Sequence, residues 1–134
     1  MSLEVNIEKR GAGFYEVSLN GRLDTSTYIP CEENLNMLLN SSTKILMFNM
    51  KHLSYISSMG LRVLFIARKT ISEHGGKFFM TNLQPQVAKV FEIAHVLPKD
   101  SVFESIEEAD RYFDNMQKQE IEKQENKKKD LYSE

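Results

Sequence analysis

The sequence predicts an α/β domain in which helices pack on a mixed sheet. Three observations carry this. Segments with strand patterning alternate with segments whose apolar residues recur at helical spacing. The chain opens with two strand patterns joined at Gly11-Ala12-Gly13, a hairpin that makes the sheet mixed rather than parallel throughout. At 134 residues, 41% of them hydrophobic and 27% charged, the chain is long enough for one core and ordinary in composition for a globular domain.

Each element has its own signal. Leu3, Val5 and Ile7 alternate with Glu4, Asn6 and Glu8, the pattern of a half-buried strand. Phe14 to Leu19 is a second strand, closed by Asn20-Gly21-Arg22-Leu23-Asp24. Thr27 is the expected cap of a first helix, because Pro30 is tolerated only in the first turn. Tyr28, Cys31, Leu35, Leu38 and Leu39 follow at helical spacing, which makes Cys31 a core residue rather than a reactive thiol. Lys44 to Met50, KILMFNM, is nearly all apolar and predicts a strand covered on both faces. A long helix is expected over Ser58–His74. Met59, Val63, Leu64, Ile66, Ala67 and Ile71 form its apolar face, and Arg62, Lys69 and Glu73 a wetter one. Gly75-Gly76 stops it, and Lys77 to Thr81 is the next strand.

Pro85 opens a further helix with Val87, Val90, Phe91 and Ala94 as its stripe, and Val102-Phe103 reads as a short last strand. Ser105-Ile106-Glu107-Glu108 is a capping box ahead of a stripe of Ala109, Tyr112, Phe113 and Met116. The apolar pattern fails after Met116. One domain over 1–116 is therefore expected, with 117–134 a charged helical extension or disordered tail; its five lysines and five acids leave it locally neutral.

Several function classes find no support. A net charge of −2 gives no basis for nucleic-acid binding. No apolar run is long enough to span a bilayer, and MSLEVNIEKR lacks a signal core, so a cytoplasmic protein is expected. His52, His74 and His95 are not paired at metal-ligand spacing, and no phosphate-cradling loop occurs, so no metal or cofactor is expected. A serine at a strand-to-helix turn is reminiscent of a hydrolase nucleophile, but the flanking glycines of that motif are missing.

The chemistry concentrates at Ser57-Ser58. There, a hydroxyl stands at a helix N-terminus beside unpaired N–H groups and the positive end of the macrodipole. The plain reading is an N-cap. The other reading is a phosphorylation switch. A pair of hydroxyls stands where one suffices, and Met59 and Leu61 follow as apolar groups expected to be exposed for partner contact.

The order of elements carries a resemblance. Gly21-Arg22-Leu23-Asp24, then KILMFNMKHLSYISSMGLRVLF, then HGGKFFMTNLQPQVAKVFEIAHV resembles the STAS domain of bacterial anti-sigma-factor antagonists, over about Leu3 to Phe113. The resemblance implies a mixed four- to five-stranded sheet with about four helices. It also implies a non-enzymatic activity: binding an anti-sigma factor that is also a serine kinase, thereby freeing the sigma factor and regulating transcription. Phosphorylation breaks that complex and a serine phosphatase restores it. Aligned on Gly60-Leu61, the acceptor falls on Ser58, with Ser57 as a substitute. The partner surface falls on Asp24, Ser57, Ser58, Met59, Gly60, Leu61 and Arg62; Arg62, one turn on from the acceptor, is either a holder for the phosphate or a solvated side chain. The sequence departs from the family pattern at three positions: Ser57 replaces an aspartate, Met59 a small hydroxyl residue, and Asn49 an aspartate at the preceding strand end. The alternative is a STAS interaction module without phosphate cycling, in a lipid-transport or stress-signalling complex.

Overall fold

The computed structural model describes residues 2–96 and 105–132. The elements run β1 (Leu3–Gly11), β2 (Phe14–Leu23), α1 (Tyr28–Asn36), β3 (Ile45–Ile56), α2 (Ser58–Glu73), β4 (Lys77–Thr81), α3 (Pro85–Val96) and α4 (Ile106–Tyr132). The four strands form one sheet in the order β1-β2-β3-β4. β1 and β2 are the antiparallel hairpin, and β2, β3 and β4 are mutually parallel. The sheet is therefore mixed for the reason visible in the sequence: a crossover helix cannot fit between β1 and β2, so they must turn back on one another.

The element boundaries differ from the expected ones at three places. β2 runs on to Leu23, and β3 absorbs Lys51–Tyr55 and ends at Ile56. The first helix stops at Asn36 rather than continuing through Leu39, yet Leu38 stays buried in the turn that follows. The predicted strand at Val102-Phe103 lies outside the described residues. At Ser105 the capping-box hydroxyl accepts the Glu108 N–H at 3.1 Å. From there α4 continues as one 27-residue helix, about 40 Å long at ~1.5 Å per residue, and carries the charged segment as far as Tyr132.

One expectation about β3 fails. Leu46, Phe48 and Met50 are fully buried, but Ile45, Met47 and Asn49 on the other face are only partly covered. The helices cover one face of the sheet, not both. The reason lies in the register. Leu46 and Phe48 stand level with Tyr15 and Val17 on β2 and with Phe78 and Met80 on β4, a continuous apolar layer. Met47 and Asn49 stand level with Glu16 and Ser18, polar neighbours that hold that face in water.

β4 is short and pairs only with Ile45–Asn49, leaving the far half of β3 without a strand on that side. Side-chain amides take its place. Gln84 Nε2 donates to Lys51 O at 2.8 Å and Gln86 Nε2 to Ser54 O at 3.0 Å. Gln117, from α4, donates to Ile56 O at 2.8 Å and accepts from Ile56 N at 3.1 Å. A strand edge that would otherwise be open is thus closed by glutamines.

Candidate functional site

The site is the N-terminus of α2. Ser57 follows the buried end of β3, and its N–H donates to Leu23 O at 2.9 Å, which continues the β2–β3 pairing by one step. Its backbone is extended (φ −95, ψ 176), the geometry of an N-cap. Its Oγ accepts the Gly60 N–H at 3.3 Å, and the side chain is only 2% exposed. Ser57 therefore caps α2 while its hydroxyl faces away from solvent. Gly60 explains how the turn sits so close: a Cβ there would stand 2.7 Å from both Leu23 Cγ and Leu23 O.

Ser58 is the hydroxyl of the pair that is partly exposed. Its Oγ donates to Asp110 Oδ1 at 2.7 Å and its backbone N–H donates to the same oxygen at 3.0 Å. The carboxylate of α4 thus sits at the positive end of α2, where an anion is favoured. The other carboxylate oxygen accepts from Thr25 Oγ1 at 3.4 Å, which ties in the loop before α1.

α4 approaches with one polar face. Asp110, Asp114 and Gln117 are spaced at i, i+4 and i+7, so all three look toward β3 and α2. Gln117 is 1% exposed and also donates to Phe113 O at 3.1 Å. Asp114 reaches Tyr55, whose pKa is pushed up to about 12 by burial and by the charges of Asp114 and Asp110, against the opposing pull of Arg22. The Arg22 guanidinium lies over the Tyr55 ring, 3.9 Å from its centroid, and its Nε is 3.5 Å from Asp24 Oδ2.

Asp24 governs the neighbouring turn and is not bonded to Ser58. Its Oδ1 accepts from Ser26 N at 3.0 Å and Ser26 Oγ at 2.8 Å and lies 3.2 Å from Thr27 Oγ1, whose one hydrogen it shares with Arg22 O, while the Asp24 N–H donates to Thr27 Oγ1 at 2.9 Å. Burial alone would raise its pKa, but these bonds and the Arg22 charge outweigh it and hold the carboxyl below the ordinary value. Thr27 occupies the expected cap position of α1, but its side chain makes no cap bond. Its Oγ1 donates instead to Arg22 O at 2.8 Å.

The other predicted residues divide. Met59 is half-buried, and it lines a shallow hollow with Arg62, Tyr28, Glu32 and Val63. Arg62 is exposed. Leu61 corrects an expectation: it is 6% exposed and belongs to the core, because it lies on the same stripe as Leu64 and faces the sheet. Ile66, expected in the buried face, is instead 39% exposed beside Phe65 at 39%. The large apolar side chains that α2 exposes are thus Phe65 and Ile66, not Leu61. Cys31 is fully buried, and burial and then Glu32 push its thiol up to about 12, an unreactive core sulfur. His74 closes α2, its Nδ1 2.9 Å from Thr70 O.

Sequence reading missed Asp110 and Gln117. A signal existed. Gln117 falls on the i, i+4, i+8 series of Ala109 and Phe113, a polar residue at a core position. Nothing in the local pattern could show that its partners lie 61 residues earlier.

Among the described residues, no helix is long and apolar enough to cross a membrane. The family model of the STAS domain matches residues 5–109. An anti-sigma-B factor antagonist of Staphylococcus aureus (strain NCTC 8325 / PS 47) is 28% identical over 80 residues, which is 60% of this chain and 74% of the relative. Among solved structures, the unphosphorylated form of the anti-sigma factor antagonist SpoIIAA superposes with a TM-score of 0.63 at 18% identity, covering 69% of this chain and 82% of that one. An anti-sigma factor antagonist from Mycobacterium paratuberculosis gives 0.64 at 19% identity, covering 71% and 80%. At those identities the structural likeness is one of fold.

Proposed function

The chain belongs to the STAS domain family, and we propose that within it this protein is an anti-sigma-factor antagonist switched off by phosphorylation at Ser58. It binds an anti-sigma factor that is also a serine kinase, and a serine phosphatase reverses the modification. The observation that carries the reading is the contrast between the two serines. Ser57 is buried and committed to capping, while Ser58 is a partly exposed residue at the electropositive mouth of α2, its hydroxyl held by Asp110.

The partner surface on this reading is the outward face of α2, with Met59, Arg62, Phe65 and Ile66, beside the Asp24 turn. A phosphate adds about −1.5 to −2 charges at its edge. The helix dipole tolerates that charge, but a desolvated or acidic partner surface does not. Arg62, exposed one turn on, supplies a cation for the phosphate when the partner has gone.

The test is binding to the anti-sigma factor kinase encoded in the same genome. Ser58→Ala should bind as the unmodified protein does, and Ser58→Asp should bind at least about tenfold more weakly, a change of ~1.4 kcal/mol. Equal binding by both variants refutes the switch. Mass analysis of protein from its own host, with and without phosphatase, identifies the modified serine.

A further inference from the structure

Resting on the reading of Ser58 as the phosphoacceptor, we propose that α4 is a latch on that residue. Docked α4 and phosphorylated Ser58 exclude each other, so modification frees the α4 face bearing Asp110, Asp114 and Gln117.

Ser58 Oγ spends its hydrogen on Asp110 Oδ1 at 2.7 Å, and the Ser58 N–H is spent on the same oxygen. Phosphoryl transfer from ATP breaks the Oγ–H bond and the β–γ phosphate bond, forms Oγ–P, and releases ADP and a proton to solvent. The donor in the Ser58–Asp110 bond is then gone. In its place stands a dianionic group against a carboxylate; the next carboxylate along the helix, Asp114, is already paired with Lys118 at 2.9 Å, so the repulsion falls on Asp110.

The Ser58 N–H, at the positive end of α2, bonds one anion. In the unmodified protein that anion is Asp110; in the phosphorylated protein the phosphate is tethered to the residue and displaces it. Asp110 therefore supplies in space the acidic neighbour that the chain lacks at Ser57. Supplied from α4, that charge can leave.

The remaining contacts show what is freed. Gln117 clasps both backbone groups of Ile56, and Ala109 and Phe113 are 8% and 3% exposed in the docked state. Undocking this face uncovers the end of β3 that no strand pairs, a surface absent from the unmodified protein.

The experiment is amide hydrogen exchange on the full chain with phosphoserine installed at position 58 by genetic code expansion. The expected result is exchange at least about tenfold faster at Ile56, at Ser58 and across 106–117, with the β1–β2 hairpin unchanged. Unchanged protection at those sites overturns the latch. So does a rise of equal size in the hairpin, which would report a lost fold. In a second protein, Asp110→Asn carrying the same phosphoserine, the acceptor oxygen remains but its charge does not, and exchange should fall back toward the unmodified value. Opening as large as in the parent phosphoprotein overturns the charge mechanism. The phosphate is installed without kinase or partner, so a failed latch shows here, whereas a failed switch shows in the binding assay.

Discussion

The turns that lead into α1 and α2 lie at the ends of adjacent parallel strands, and they are closed in opposite ways. The α1 turn, after β2, is closed mostly by its own neighbours: Asp24 binds Ser26 and Thr27, and Thr27 binds Arg22, all within five residues, and a single long bond from Thr25 reaches Asp110 on α4. The α2 turn, after β3, is closed from a distance. Ser57 supplies a local cap, but Ser58 is satisfied by Asp110, 52 residues on, and Ile56 by Gln117, 61 residues on. A locally closed turn opens only when the chain itself rearranges. A turn closed by another element opens when that element moves. On the proposed reading, the phosphoacceptor Ser58 belongs to the second kind.

The contrast can be broken most severely at Gln117. Gln117→Ala orphans two buried backbone groups of Ile56 and should cost about 2–3 kcal/mol in urea unfolding. The α1 turn should keep its exchange protection, because the bonds of Asp24 and Thr27 do not pass through α4. A loss confined to the α1 side would invert the contrast.

The next effect is at Gly60, where the α2 turn touches the strand end that feeds α1. Gly60→Ala sets a Cβ against the Leu23 carbonyl and should cost about 2 kcal/mol, read as a lower unfolding midpoint at unchanged m-value. Stability equal to the parent would mean that α2 can back away from β2 freely.

Ser57→Ala removes the one local cap of α2 and should cost about 1 kcal/mol. A cost near zero would mean that Asp110 alone closes the turn.

The smallest effect separates the two turns by pH. The folded-state pKa of Asp24 is lowered, so its contribution is present above the unfolded value, about 3.9, and is lost as pH falls through the folded one. Asp24→Asn should therefore be less stable than the parent at neutral pH and lose less on acidification below about pH 4. Parallel stability curves for the two proteins would remove Asp24 from the account of the α1 turn.

How much of this was legible varies with the range of the forces involved. The hairpin, the Ser57 cap, the Gly75-Gly76 stop, the Ser105 box and the buried Cys31 are set by backbone preference and apolar period, which act over a few residues and can be read along the chain. The faces of α2 were readable only in outline. Leu61 and Ile66 are both apolar and both at plausible positions, and only the angle at which the sheet meets the helix buries the first and exposes the second. β3 looked covered on both sides because its own residues are apolar, whereas the neighbours that keep one face wet come from β2.

The sequence by itself determined the mixed α/β class, the position of the serine turn at the start of a helix, and the kinship of the chain. These follow from periodicity, caps and ordered motifs. Only the tertiary structure decided which serine is reachable and what holds it. Ser57 is hidden because β2 passes close at Gly60, and Ser58 is held because α4 brings Asp110 to the start of α2, where a helix dipole and two donors favour a carboxylate. That pairing joins residues far apart in the chain, and no local pattern records it, because the energy that selects it exists only once the helix has docked.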